Sequence, residues 1–222
     1  MTHSLHRLGD HASLEKDYVV FALTAAGVYG KDLGHSVGSA AKKERFFDIV
    51  ASYRPVNMSV SPTQDRRRLA LAAGYTLEQL REGICDKSEI YSVFKDLDSV
   101  KKILKELKKK DLGLSIVVSG LFDEIFGCCK EESISPHTVN MSAGILGKRS
   151  SLPGTKILEI TTMCGHSLVS SRLAKHLIEK VKRKQMSSEA AARVLAKQCV
   201  CGIFNTARAA ELIEFAGTAV KG

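Results

Sequence analysis

Apolar residues recur along this chain in two rhythms, which divide it into candidate strands and helices. Asp17 to Thr24 (DYVVFALT) is a β-branched and aromatic run, the signature of a buried strand. Glu89 to Phe94 alternates as a strand, and Leu114 to Val118 is a second short apolar run. Between them Leu97, Val100, Ile103, Leu104 and Leu107 fall at helical intervals, with Asp96 or Asp98 as cap and Gly113 as stop. This β-α-β pattern predicts parallel strands joined by a right-handed crossover.

Elsewhere the pattern predicts a helix from Ser39 to Ser52. Val56 to Arg68 reads as irregular, and Leu69 to Ile84 as a short helix pair broken at Gly74. A helix from Leu121 to about Glu131 and a strand from His137 to Ile145 follow. The apolar run Ile157 to Met163 reads as one more strand, and the remainder as helices capped near Ser187 and Asn205 or Thr206. The first 16 residues are polar, hold His3, His6 and His11, and lack periodicity, which suggests a loose arm or a lead-in strand. The expected fold is α/β: a mixed, mainly parallel sheet flanked by helices, with a C-terminal helical lobe. Residues 1–155 would form the α/β part and 156–222 a strand plus helical lobe, as one continuous unit.

Candidate chemistry concentrates in that lobe. Cys164-Gly165-His166 ends one segment and Cys199-Val200-Cys201-Gly202 ends another. The two helical segments between them can fold back as a hairpin, which would bring Cys164, His166, Cys199 and Cys201 to one end. Thiolates and imidazole suit zinc, and three cysteines suit an iron–sulfur cluster. The competing readings are small buried side chains at tight turns, and a nucleophilic Cys164 at a strand-to-helix turn with His166 or His137 as base. Cys85, Cys128 and Cys129 read as structural. The predicted strand at His137 places Thr138, Asn140 and Ser142 on one face, a polar row suited to lining a pocket. Ser119-Gly120, at a strand end, is a second place for a ligand, so Asn140, Ser142, Ser119 and Gly120 are candidate cofactor-binding residues. Four glycines from Gly27 to Gly38 form a loop that matches neither the dinucleotide fingerprint nor the P-loop.

Composition narrows the setting more than the function. The chain has 222 residues and a formal net charge of +9, with positive charge gathered at Arg66 to Arg68, Lys101 to Lys110 and Lys180 to Lys184. That permits an anionic partner, although the lysine runs keep helical apolar spacing and no specific nucleic-acid motif accompanies them. The N-terminus lacks the apolar core of a secretory signal. Apolar runs are too short to cross a bilayer, so the expected location is cytoplasmic, where six cysteines stay reduced, metal-bound or catalytic.

Three stretches carry a resemblance: Thr161-Thr162-Met163-Cys164-Gly165-His166, Cys199 to Asn205 (CVCGIFN), and Val117 to Glu124 (VVSGLFDE). They resemble functionally uncharacterised cysteine-containing proteins of anaerobic prokaryotes. The resemblance lends no catalytic residues; it implies an oxygen-free cytoplasm in which an iron–sulfur site would survive. The expected function is a metal- or iron–sulfur-binding protein with a redox or metallocofactor-accessory role, binding an iron–sulfur cluster or zinc. Its partners would be a metalloenzyme or an anionic molecule, and self-association is left open. The alternatives are a transferase or hydrolase using Cys164, and a non-catalytic binder of an anionic partner.

Overall fold

The computed structural model describes residues 5–24 and 38–218. Gly27, Gly30 and Gly34 of the glycine-rich loop, and His3, lie outside the described residues.

Five strands form one sheet: β1 (Tyr18–Thr24), β2 (Asn57–Ser61), β3 (Leu69–Ala70), β4 (Glu89–Phe94) and β5 (Leu114–Ser119). Their order is β3-β2-β4-β1-β5, and every neighbouring pair is antiparallel. The expected mainly parallel sheet is therefore wrong. The β4-to-β5 crossover, through the helix Leu97–Lys110, does exist. It skips one position, and β1 fills the gap, pairing with β4 through Phe21↔Tyr91 and with β5 through Phe21↔Val117. Periodicity finds such a crossover but not the strand inserted beneath it, because that pairing spans most of the sheet's sequence.

Helices cover both faces. On one face Val20, Met58, Ile90 and Phe94 pack against α2 (Ala40–Ser52), α3 (Leu77–Glu82) and α4 (Leu97–Lys110). Helix α4 buries Val100, Ile103, Leu104 and Leu107 and turns its lysines outward, so its basic run is a solvated face. Helix α3 opens with a full capping box between Thr76 and Gln79.

On the other face Val19, Phe21, Tyr91 and Val93 pack against four C-terminal helices: α6 (Thr155–Thr161), α7 (Ser171–Lys182), α8 (Ser188–Ala196) and α9 (Thr206–Thr218). Here the sequence misleads in a second place. The run expected as a strand at Ile157–Met163 is helix α6, because Ile157 and Ile160 fall three apart and both turn inward. The strand expected at His137–Ile145 does not form either; that segment is irregular and exposed. It sits between α5 (Phe122–Glu131) and α6, beside but not hydrogen-bonded into the sheet.

The first helix, α1 (His11–Leu14), follows an N-terminal arm that is tied down, not loose. Leu8 N–H donates to Thr162 Oγ1 at 3.0 Å, and Arg208 donates to Leu8 O at 2.6 Å. Among the described residues no helix is long and apolar enough to cross a membrane.

Candidate functional site

Helices α7 and α8 fold back as a hairpin, and the turns at its two ends meet. Cys201 Sγ lies 3.3 Å from His166 Nδ1, although 35 residues separate them in sequence. Cys164 and Cys199, the buried cysteines of the same two turns, are close enough to shift each other's acidity. Cys164 and Cys199 are buried at 1% and 4% exposure, whereas Cys201 is only partly covered. All four predicted residues therefore gather in one place, with an enclosed pair below and a surface pair above. Cys164 follows helix α6, not a strand, and α7 begins only at Ser171, so the expected strand-to-helix turn at Cys164 is wrong.

The gathering follows from local chemistry. Helix α6 ends at Thr161, and the chain then turns through residues 164–167, with Ser167 N–H donating to Cys164 O. Ser167 takes a left-handed backbone (φ 54°) that completes the turn. Ser170 then caps α7 by accepting from Leu173 N–H. Backbone amides of His166, Leu168 and Val169 consequently point at the Cys164 sulfur.

The second turn is built the same way, with the amides of Cys201 and Ile203 pointing at Cys199. It is pinned to strand β2: Ser59 Oγ donates to Cys201 O at 2.5 Å, and Asn57 Nδ2 donates to Phe204 O at 3.0 Å. Gly202 is left-handed (φ +65°), and a Cβ there would run into the Ser59 side chain. Gly202→Ala is expected to destabilise the protein by about 1–3 kcal/mol, through left-handed strain and the displaced Ser59 contact. A lowered denaturation midpoint beside a disturbed Cys201 environment is the expected readout.

The thiols differ sharply in acidity. The Cys199 hydrogen bond holds the Cys164 thiol down at about 6; burial opposes this and the three backbone N–H groups support it. Cys199 moves the other way, upward, because it donates to Cys164 and is buried. We assign the thiolate to Cys164, which is lowered while Cys199 is raised. Burial pushes Cys201 up to about 11, aided by the nearby Cys164 and opposed by Arg68. Arg68 thus stands close to the mouth of the site, since it precedes Leu69 and Ala70, the β3 partners of Val60 and Ser59.

Among the described residues, no three His, Cys, Asp or Glu side chains form a group that could hold a metal ion.

The other predicted positions lie around a separate cavity of about 830 Å³ along β5. Ser119, Gly120, His137, Asn140 and Ser142 all line it, together with Phe122 and Phe126 of α5 and Arg7 of the N-terminal arm. Its volume suits a small ligand. The Ser119-Gly120 turn is held against Tyr18, whose ring a Cβ on Gly120 would strike. His6 Nδ1 lies 3.0 Å from Ser142 Oγ, which ties the arm to the cavity's outer wall. His137 belongs to this wall, and no hydrogen bond joins it to Cys164. Cys128 and Cys129 are buried in α5, and Cys85 lies near Ser88 and Pro62 O, apart from the other thiols.

Sequence reading missed Arg7, Asp17, Asn205 and Arg208. Asp17 is fully enclosed and receives Arg7, Arg208 (Nη1 to Oδ2, 2.8 Å) and Asn205 (Nδ2 to Oδ1, 3.0 Å). Arg7 also donates to Ile203 O, in the turn whose amide backs Cys199. The available signal was an aspartate set directly before an apolar strand and an arginine within the inward face of a helix. Comparison with protein-family models, curated proteins and solved structures finds no match.

Proposed function

We propose that the chain is a thiol-dependent redox protein in which Cys164 is the reactive thiolate and Cys199 its partner in a reversible disulfide. The observation that supports this reading most is the meeting of the two cysteine turns, where Cys201 Sγ lies 3.3 Å from His166 Nδ1 and the buried Cys164 and Cys199 shift each other's acidity in opposite directions. One thiol is easily ionised and its neighbour holds its proton, the division of labour that a dithiol couple needs.

Oxidation would begin with attack of the Cys164 thiolate on one sulfur of an acceptor disulfide. A mixed disulfide forms and the acceptor's other sulfur leaves as a thiol after taking a proton. Cys199 then loses its proton and attacks the Cys164 sulfur, releasing the acceptor's second thiol. Two protein thiols become one disulfide, and the acceptor disulfide becomes two thiols. Because Cys164 is enclosed, the acceptor must enter through the partly covered Cys201–His166 pair, where the imidazole nitrogen is placed to exchange the Cys201 proton. Arg68 beside that mouth favours an acceptor carrying negative charge. A reducing cytoplasm is the compartment in which such a couple cycles without locking as a structural disulfide.

The test is redox titration of the full chain in buffers of reduced and oxidised glutathione, with disulfides mapped by peptide mass spectrometry. A reversible Cys164–Cys199 disulfide is expected, with a midpoint in the range of about −180 to −300 mV typical of exchanging dithiols. Six thiols that stay reduced throughout, or a disulfide that excludes Cys164, would overturn the proposal.

A further inference from the structure

The sheet ends on an open edge. Strand β5 pairs with β1 alone, and an antiparallel edge strand turns the N–H and C=O groups of alternate residues outward. Among the described residues, no backbone group outside the sheet bonds to residues 114–118. The opposite edge, β3, is only two residues long, a common protection against unwanted pairing, whereas β5 has six. Five of those six are partly exposed.

The cavity of about 830 Å³ runs along this edge. All six residues of β5 line it, odd and even alike. A cavity on one face of the sheet would meet only every second side chain, so this one lies at the strand's outer margin. Its far wall is the irregular segment after α5, tethered at both ends. Lys108 Nζ donates to Glu132 O at 2.6 Å, and His6 Nδ1 lies 3.0 Å from Ser142 Oγ. Between the tethers, no hydrogen bond among the described residues joins that segment's backbone to β5. The gap has the size of a missing strand, since six extended residues fill roughly 4.8 by 10 by 20 Å, or about 960 Å³.

We propose that this edge takes up an extended peptide segment of a partner protein as a sixth strand, an apolar stretch flanked by acidic residues. The backbone decides against a hydrocarbon occupant. An acyl chain lying here would bury outward N–H and C=O groups unpaired, at about 1–3 kcal/mol each, whereas an added strand pairs them. Apolar side chains of the peptide meet the exposed Phe122 and Phe126, stacked on α5 with centroids 5.7 Å apart, and Val139 and Met141 on the opposite wall. Charge specifies the flanks. At one end Arg7 and Arg208 share the Asp17 carboxylate; at the other, the last turn of α4 sets Lys108, Lys109 and Lys110 against Asp111. Among the described residues both ends thus carry excess positive charge, which acidic flanks complement. The docking site does not depend on the thiol reading.

The probe is a fluorescein-labelled peptide with a core of alternating valine and threonine and two glutamates at each end, titrated into the full chain and followed by fluorescence anisotropy. Saturable binding is expected, with slower amide hydrogen exchange at residues 114–118 and unchanged exchange at β3. N-methylating the core at alternate positions removes the donors from one edge of the peptide and can be done in two phases. One phase is expected to weaken binding about tenfold or more, and the other by no more than about threefold. Exchanging the glutamates for lysines is expected to weaken it about tenfold at low salt. No saturable binding up to about 1 mM, equal weakening in both phases, or exchange protection that spares β5 would overturn the proposal. So would saturation of the cavity by cis-parinaric acid, an acyl probe, where the peptide does not bind.

Discussion

Replacing Asp17 with alanine is expected to destabilise the protein by about 3–5 kcal/mol, the cost of stripping the partner from buried charges. Asp17 is wholly enclosed and receives two guanidinium groups and the Asn205 amide. Without it Arg7 and Arg208 would face one another in the interior, and Asn205 would lose one of its acceptors. The cluster also joins parts of the chain that are remote in sequence. Arg7 comes from the arm, Asp17 precedes β1, and Asn205 and Arg208 belong to the start of α9. Its loss therefore loosens the arm, the sheet and the C-terminal helices together. Chemical denaturation reads the effect directly. Asp123→Ala, at an exposed position in the first turn of α5, is the control and should cost no more than about 1 kcal/mol. Equal small losses in both variants would show that the buried cluster is not what holds these segments together.

The second large effect is a dependence of stability on pH with a maximum. Cys164 has a folded-state value near 6 against an ordinary 9. Below about pH 6 it is protonated in both the folded and the unfolded chain and contributes nothing. As pH rises from about 6 to 9, the unfolded chain holds a proton that the folded chain has lost, so stability rises. Above about 9 the sign reverses. Cys199 and Cys201 are raised in the folded protein, so the unfolded chain now loses protons that the folded chain keeps. Urea denaturation at a series of pH values, under reducing conditions, is expected to show the rise and then the fall. Cys164→Ala should flatten the rising limb. A rise that survives in Cys164→Ala would place its origin in some other group.

Much of this fold was legible wherever burial is written in apolar side chains. β1, β4 and β5 stand out as runs of Val, Ile and Phe, and α4 as an apolar stripe broken by lysines. β2 was not legible, because two of its inward positions are Asn57 and Ser59. Those side chains bind the carbonyls of Phe204 and Cys201, so the strand gave up apolar alternation to hold the second cysteine turn. α6 was misread because a short apolar run has too few residues to show its period. Strand order was out of reach, since β1 pairs with strands about 70 and 100 residues further on, and nothing local encodes that choice.

The thiol site was more legible than the fold around it. A cysteine turn at each end of an amphipathic helix pair implies convergence, because the pair must fold back to bury its two apolar faces together. Cys201 and His166 meet as that geometry requires. What the pattern could not supply was the relation among the four groups. Cys164 is lowered while Cys199 and Cys201 are raised, and nothing in the spacing of the cysteines shows which of them ionises first.

The most direct test of the thiol reading is the ionisation of Cys164 in the intact, reduced protein, followed by thiolate absorbance as a difference from Cys164→Ala. A midpoint near 6 is the predicted result, with Cys199 and Cys201 ionising only in alkaline solution. A midpoint near the ordinary value of 9 would contradict it, as would a parent protein whose Cys164, Cys199 and Cys201 are all taken up by stoichiometric bound metal.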